Sequence, residues 1–360
     1  MSTNRLQKLR SLIAEEKLDA LLVSQTENLC YLSDFTGSSG WLVLSANNAV
    51  LATDSRYTEQ ARRETDGFEI LKVTGGPDKW LPSVTCERGL TKVGFEAKHT
   101  SFAIYRQLCE VFNSGYPAIQ LIPTVDLVEK IRVVKEPQEL EFLAKAAELA
   151  DAGFKHALST IHPGIKERDL AWEIEVYLRQ LGSESLPFHI IVASGANAAL
   201  PHAKATDKVI SCGEPVLIDM GARFQGYCSD LSRTICLGKP DQTFSRLYDL
   251  VLKAQLAAIA GARSGVQGLE VDRLARNIIE EAGYGEAFGH SLGHGVGLNG
   301  HELPSISPGS ASLLQEGMVF TIEPGVYISG WGGIRIEDMV VLEDNKASVL
   351  TKAEKLTVAF

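Results

Sequence analysis

The sequence predicts a two-domain α/β protein, α+β in its second half, and three observations predict it. At 360 residues the chain is long for a single hydrophobic core. Its first 125 residues read as short strands and helices, and a long helical pattern opens soon afterwards. Its second half repeats one plan: an apolar strand ending in an acid, a glycine-rich turn, and a second acid opening another strand.

Leu6, Leu9, Leu12 and Ile13 step along one helical face, and DALLVS (19–24) then reads as a buried strand. In WLVLSANNAVLAT two apolar runs flank Ala46-Asn47-Asn48, a hairpin signal. TKVGFEA reads as a further strand, followed by a helix through Tyr105, Leu108 and Phe112. FTGSSGW (35–41) lacks the lysine and following helix of a nucleotide cradle and reads as a turn. Pro123 and Pro137 punctuate the next segment, and the domains are placed at 1–125 and 126–360.

Leu140, Leu143, Ala147, Ala150, Phe154, Leu158 and Ile161 then step by three or four, one apolar stripe along a helix that Pro163-Gly164 ends. A second helix runs through ERDLAWEIEVYLRQLG, with Gly182 at its end. Strand-like runs follow, interrupted by helices near 243–262 and 267–282.

Composition narrows the class of protein. Hydrophobic residues make up 45% and charged residues 22%, ordinary values for a globular chain, and the net charge of −10 argues against nucleic acid or an anionic membrane as partner. Glu15, Glu16 and Lys17 interrupt the only N-terminal apolar stretch, so neither a secretory segment nor a membrane span is expected. The six cysteines form no CxxC pair and read as small reduced core residues. A cytoplasmic location is the expectation.

The duplicated plan carries the chemistry. Asp219 follows PVLI and Asp230 opens a strand; Glu323 follows MVFTI and Glu337 precedes another. A carboxylate continuing an apolar strand is costly to bury alone, and four gathered together demand cations, which paired divalent metals supply. In GGIRIEDMVVL, Ile334 and Ile336 alternate with Arg335 and Glu337, so the arginine shares the acid's face.

Between the two acid pairs lies HSLGHGVGLNGHELP (290–304), with three of the eight histidines. Glycines 289, 293, 295, 297 and 300 allow turns and close backbone approach, so the loop can aim several imidazoles at one point. His294, between Gly293 and Gly295, is the candidate to complete a site of one nitrogen and four carboxylates; the other two histidines would act on substrate. Such oxygen-rich ligation suits Mn(II), Co(II), Fe(II) or Zn(II). Two such ions sharing a water lower its pKa and stabilise an oxyanion, which is hydrolase chemistry.

These motifs, LIDMGARFQGYCSD, HSLGHGVGLNGHELP, FTIEPGVY and GGIRIED, resemble those of the pita-bread metallopeptidases, which include aminopeptidase P, prolidase and methionine aminopeptidase. The resemblance implies a pita-bread catalytic domain over 126–360 and a creatinase-type N-terminal domain over 1–125. It implies Asp219, Asp230, His294, Glu323 and Glu337 as ligands of two divalent ions, manganese first among them, with Asp230 and Glu337 spanning both. Glu323 is also the implied general base. His202, in ASGANAALPHAKAT, is the implied active-site histidine ahead of the first metal strand; His290 and His301 would bind substrate and stabilise the tetrahedral intermediate, and Arg335 would orient.

The RIED context and the N-terminal domain favour the proline-directed branch, whose substrate carries proline at the second position. Some prolidases carry an arginine shortly after the third histidine; here HELPSIS has Ser305, and no arginine lies between His301 and Arg335. One donor for a dipeptide's carboxylate is thus missing. The expectation is an Xaa-Pro aminopeptidase, with a strict Xaa-Pro dipeptidase as the alternative. Homodimers are common in the family and expected here. More remote are a peptide-binding protein on the same fold, which has lost the metal ligands, and a metal-free creatinase-like hydrolase. His99, His156 and His162 read as structural, while His189 borders a strand leading toward His202.

Overall fold

The computed structural model describes residues 2–355 together with 358 and 359. By internal contacts the chain divides into Met1–Arg132 and Val133–Phe360. The sequence division was placed at 125/126; the short helix ending at Arg132 packs with the first unit because Arg132 Nη1 donates to Asn28 Oδ1 at 2.6 Å.

The first unit runs α1 (Ser2–Glu15), β1 (Ala20–Val23), α2 (Thr26–Ser33), β2 (Trp41–Ser45), β3 (Ala49–Thr53), α3 (Thr58–Glu64), β4 (Glu69–Lys72), α4 (Pro77–Glu87), β5 (Lys92–Glu96), α5 (Phe102–Gly115), β6 (Gln120–Thr124) and α6 (Glu129–Arg132). Its strands form one sheet in the order β4-β3-β2-β1-β5-β6. β2 and β3 are the expected hairpin around Asn47-Asn48, pairing Leu44 with Ala49. Leu6, Leu9 and Ile13 are buried along α1 as their spacing requires.

The second unit is built from two similar halves. The first contains α7 (Pro137–Thr160), α8 (Glu167–Gln180), β7 (Ile191–Ser194), β8 (Pro215–Met220), β9 (Arg223–Phe224), β10 (Tyr227–Cys228) and β11 (Leu231–Leu237). The second contains α9 (Gln242–Gly261), α10 (Gly268–Glu281), β12 (Gly293–Gly295), β13 (Glu302–Ile306), β14 (Val319–Ile322), β15 (Gly325–Ile328), β16 (Gly332–Arg335), β17 (Asp338–Glu343) and β18 (Lys346–Val349). A final strand, β19 (Val358–Ala359), runs parallel to β11.

Each half has two helices packed on a sheet: α7 and α8 on β7, β8 and β11, α9 and α10 on β14 and β17. Each half also has two central strands that pair directly and antiparallel, β8 with β11 and β14 with β17. The chain between them forms a separate two-stranded ribbon, β9 with β10 in the first half and β15 with β16 in the second. The repeated strand–turn–strand text is therefore a repeated fold.

The helix ends follow local chemistry. Pro137 sits in the first turn of α7, where its missing N–H costs nothing, and Glu136 and Glu139 form a reciprocal capping box. Gly182, just past α8, takes φ +104°, open to glycine.

All six cysteines are free, but only Cys228 and Cys236 are core residues. Cys86 and Cys212 are exposed because they occupy the last turn of α4 and the turn entering β8. No helix of the described residues is long and apolar enough to cross a membrane.

Candidate metal centre

Strand alternation builds the first wall of the site. Along β8, Val216, Ile218 and Met220 enter the core under α7 and α8, which turns Leu217 and Asp219 to the opposite face. On β11, Leu231, Ile235 and Leu237 join the same core, while Ser232 and Thr234 face away from it toward Arg335. The second wall repeats the device. Phe320 and Ile322 of β14, with Ile334 and Ile336, are core, so Glu323, Arg335 and Glu337 reach the cavity between the halves. The chain leaves β16 after Arg335 and enters β17 at Asp338, yet the predicted shared face of Arg335 and Glu337 holds.

The cavity, of about 480 Å³, brings together all the residues singled out from the sequence: Asp219, Asp230, Glu323, Glu337, Arg335, His202, His290, His294 and His301. His189, Phe188, Ile191 and Lys204 also line it.

The glycines of the histidine loop act by close approach rather than by unusual torsion. None of glycines 289, 293, 295, 297 and 300 adopts a positive φ. A Cβ on Gly293 would collide with the backbone carbonyl of Thr321, and one on Gly295 with that of Leu303. The strand bearing His294 is thereby pressed between its neighbours. Its Nδ1 lies 3.1 Å from the Gly295 carbonyl, which only accepts, so that nitrogen carries the proton. Nε2 faces Glu323 Oε1 at 3.3 Å and Asp230 Oδ2 at 3.7 Å. A backbone bond on one nitrogen and carboxylates around the other is how a metal-binding imidazole is held.

The acids are crowded. Burial, then the neighbouring carboxylates, pushes Asp230 well above its usual range, and the same causes raise Glu337. Asp219 is also raised by burial, against the opposing pull of Arg335. Glu323 differs: burial would raise it, but the His294 hydrogen bond and charge bring it down to about 2. His294 shows the reciprocal result, raised because Glu323 outweighs the effect of burial.

Arg335 ties the walls together. It donates from Nη2 to Asp219 Oδ2 at 2.5 Å, from Nε to Ser232 Oγ at 2.9 Å, and from Nη1 to the Pro201 carbonyl and the Tyr327 hydroxyl. Tyr327 was not singled out in the sequence. Pairing of β15 with β16 sets Tyr327 opposite Gly333, on the same ribbon face as Arg335, while Val326 and Ile334 face the core. Alternation in EPGVYI was the available signal. The Tyr327 hydroxyl lies 3.0 Å from His290 Nε2, and His290 Nδ1 lies 2.8 Å from the Ser291 carbonyl. Both His290 nitrogens are thus engaged within the wall. Burial pushes the Tyr327 phenol up to about 12 and lowers the His290 imidazole, so a neutral ring accepts from the phenol. His301 stacks on His294 with centroids 3.7 Å apart, and burial, then the His294 charge, lowers it to about 4.

The donor set fits divalent metal. Ligand atoms of Asp230, His294 and Glu337 lie within 4.8 Å of one another, the one such group among the described residues. Asp219 Oδ1 is buried without a hydrogen-bond partner, an orphan acceptor aimed where a cation would satisfy it. Four carboxylates facing one guanidinium and one metal-ready imidazole need further positive charge.

Two facing half-domains with an acid-rich, histidine-bearing cavity between them define the pita-bread class of hydrolases. The chain belongs to metallopeptidase family M24, whose model matches residues 141–344, and the creatinase/prolidase N-terminal domain matches residues 5–134. It is 36% identical over 353 residues to an Xaa-Pro dipeptidase of Pyrococcus horikoshii, covering 98% of this chain and 97% of the relative. Among solved structures, an Xaa-Pro dipeptidase from Bacillus anthracis superposes with a TM-score of 0.95 at 40% identity, over 99% of this chain and 100% of that one. An X-Pro aminopeptidase from Thermotoga maritima superposes with a TM-score of 0.85 at 39% identity, over 95% and 98%. The protein is a metallo-exopeptidase of the proline-directed branch, and its family implies divalent metal.

Proposed function

We propose that the chain hydrolyses the bond between an N-terminal residue and a following proline, with Xaa-Pro dipeptides as its best substrates. The observation that carries this reading is the convergence of Asp219, Asp230, His294, Glu323 and Glu337 on one cavity in which Asp219 Oδ1 has no partner. In this reading those five residues would hold two divalent ions. Bound there, the ions lower the pKa of water and polarise the scissile carbonyl.

The protein's own groups do the rest. Glu323, held ionised, accepts the proton of the attacking water and returns it to the proline nitrogen, which has no hydrogen of its own. His202 and His301 donate to the developing oxyanion; His301 does so as a neutral ring, its pKa lowered to about 4. Arg335 fixes the Asp219 carboxylate, and His290, engaged on both sides, braces this wall through Tyr327. Phe188 and Ile191 give the proline ring an apolar surface.

Two features support the dipeptidase reading: the Pyrococcus and Bacillus relatives named Xaa-Pro dipeptidase, and a cavity of about 480 Å³, suited to a small ligand. The second reading, aminopeptidase action on longer peptides, is favoured by Ser305 at the position where some prolidases carry an arginine and by the Thermotoga neighbour. Matched Xaa-Pro and Xaa-Pro-Yaa peptides, incubated with the protein and manganese, cobalt or zinc, distinguish them. Faster release of proline from the dipeptide supports the first reading; a higher kcat/KM on the longer peptide establishes the second. Failure to cleave either rejects both.

A further inference from the structure

We infer that Lys204 receives the free carboxylate of an Xaa-Pro dipeptide, and so sets the preference for a substrate that ends at proline. This rests on the Xaa-Pro reading above. The cavity wall contains two basic side chains, Arg335 and Lys204. Arg335 is committed to Asp219, Ser232, Tyr327 and the Pro201 carbonyl. The nearby bases are committed too: Lys208 to Glu214 at 2.7 Å, Arg168 to Asp207 at 2.8 Å and Lys166 to Asp207 at 3.1 Å. Lys204 is exposed and, among the described residues, has no ion-pair or hydrogen-bond partner.

Its backbone, in contrast, is fixed. The fully buried Glu167 carboxylate accepts from Ser194 N and Oγ, from Asn197 Nδ2, and from Thr206 N and Oγ1, gripping the segment on both sides of Lys204. The Pro201 carbonyl is held by Arg335 at 3.1 Å. The position of the lysine charge is therefore limited to the reach of its own side chain, beside His202.

A dipeptide is an anion at one end, and the cavity already holds four carboxylates. A cation at the wall compensates for that repulsion at the end of the substrate away from the acids. Lysine is a compact point charge on a flexible stem, without the rigid fork of arginine. It favours a carboxylate without excluding a neutral peptide bond at the same place, so a longer peptide is disfavoured rather than barred.

The test uses the metal-loaded full chain with Ala-Pro and with Ala-Pro amide, which differ only in the terminal charge. The readout is the ratio of kcat/KM for acid over amide, in the wild type, Lys204→Met and Lys204→Arg. A charge-assisted contact predicts a fall in that ratio of roughly 10- to 100-fold in Lys204→Met, through KM, with most of it recovered in Lys204→Arg. The wild-type ratio should also shrink as salt is raised. If Lys204→Met keeps the wild-type ratio, the lysine does not read the carboxylate, while the Xaa-Pro assignment stands. A wild type that cleaves the two substrates equally overturns the inference in the same way. If the loaded wild type cleaves neither, the Xaa-Pro reading fails and this inference falls with it.

Discussion

Arg335 donates to one oxygen of Asp219 at 2.5 Å, and the other oxygen of that carboxylate is buried without a partner. The guanidinium thus orients an acceptor whose free side faces the cavity. Replacing Arg335 by methionine leaves the acid in place but unheld. Loss of such a supporting contact costs about 10- to 100-fold in metal affinity or activity. Manganese titration followed by calorimetry, beside kcat on Ala-Pro, measures both; unchanged values in both would remove Arg335 from the site's support.

Glu337 is raised well above its ordinary range by burial and by the carboxylates around it. Crowding of this kind destabilises the metal-free fold and is relieved by a cation. Glu337→Gln should therefore melt higher than wild type after chelation, and lower than wild type in saturating manganese, where ligand binding stabilises only the intact site. It should also lose metal content and turnover together. Full activity in Glu337→Ala would show the ligand assignment to be wrong.

Gly293 offers no space for a methyl group, because a Cβ there meets the Thr321 carbonyl. That carbonyl belongs to a sheet and cannot swing aside as a long side chain can. Gly293→Ala should cost about 1–3 kcal/mol in urea unfolding and displace His294. Gly289 has open space around its Cβ, so Gly289→Ala is the control and should unfold like wild type.

Next to Glu337, Arg233 Nη2 donates to Asp338 Oδ1 at 2.7 Å, with both side chains buried, and Arg233 also donates to the Glu337 carbonyl. Removing Arg233 leaves Asp338 to Lys355, Gln255 and Thr351, so Arg233→Met should lose about 3 kcal/mol of unfolding free energy, the low end for a broken buried pair. Burial would raise Asp338, but Arg233 and Lys355 hold it below its ordinary 3.8. A depressed acid contributes stability above its unfolded pKa and loses it as pH falls through the folded value. The stability gap between wild type and Asp338→Asn should accordingly be widest above about pH 5 and narrow as the pH drops below about 4. A gap that is flat in pH would contradict this sign.

Much of this architecture was legible because periodicity is a local property. The stripe from Leu143 to Ile161 names the buried face of α7, and alternation through Ile334 and Ile336 puts Arg335 beside Glu337 even though the strand breaks between them. The stretch 54–87 gave no comparable signal. α3 has seven residues, β4 has four, with none of its side chains fully buried, and α4 carries Pro82 inside it, so neither period runs long enough to stand out. The cysteines misled for a related reason. Apolar neighbours in sequence did not make Cys86 or Cys212 neighbours of a core.

The sequence by itself determined which residue types stand at the ends of the two repeated strand pairs and which strand face they share, and from these came the expectation that four acids and a histidine loop meet. That follows because strand alternation and glycine sterics act within a few residues. Only the tertiary structure decided how the charges are shared. Tyr327 lies between Arg335 and His290, both nitrogens of His290 are engaged, and Lys204 is left without a partner among the described residues. These depend on distances between residues far apart in the chain, and electrostatic and hydrogen-bond energies vary too steeply with distance for spacing along a sequence to reveal them.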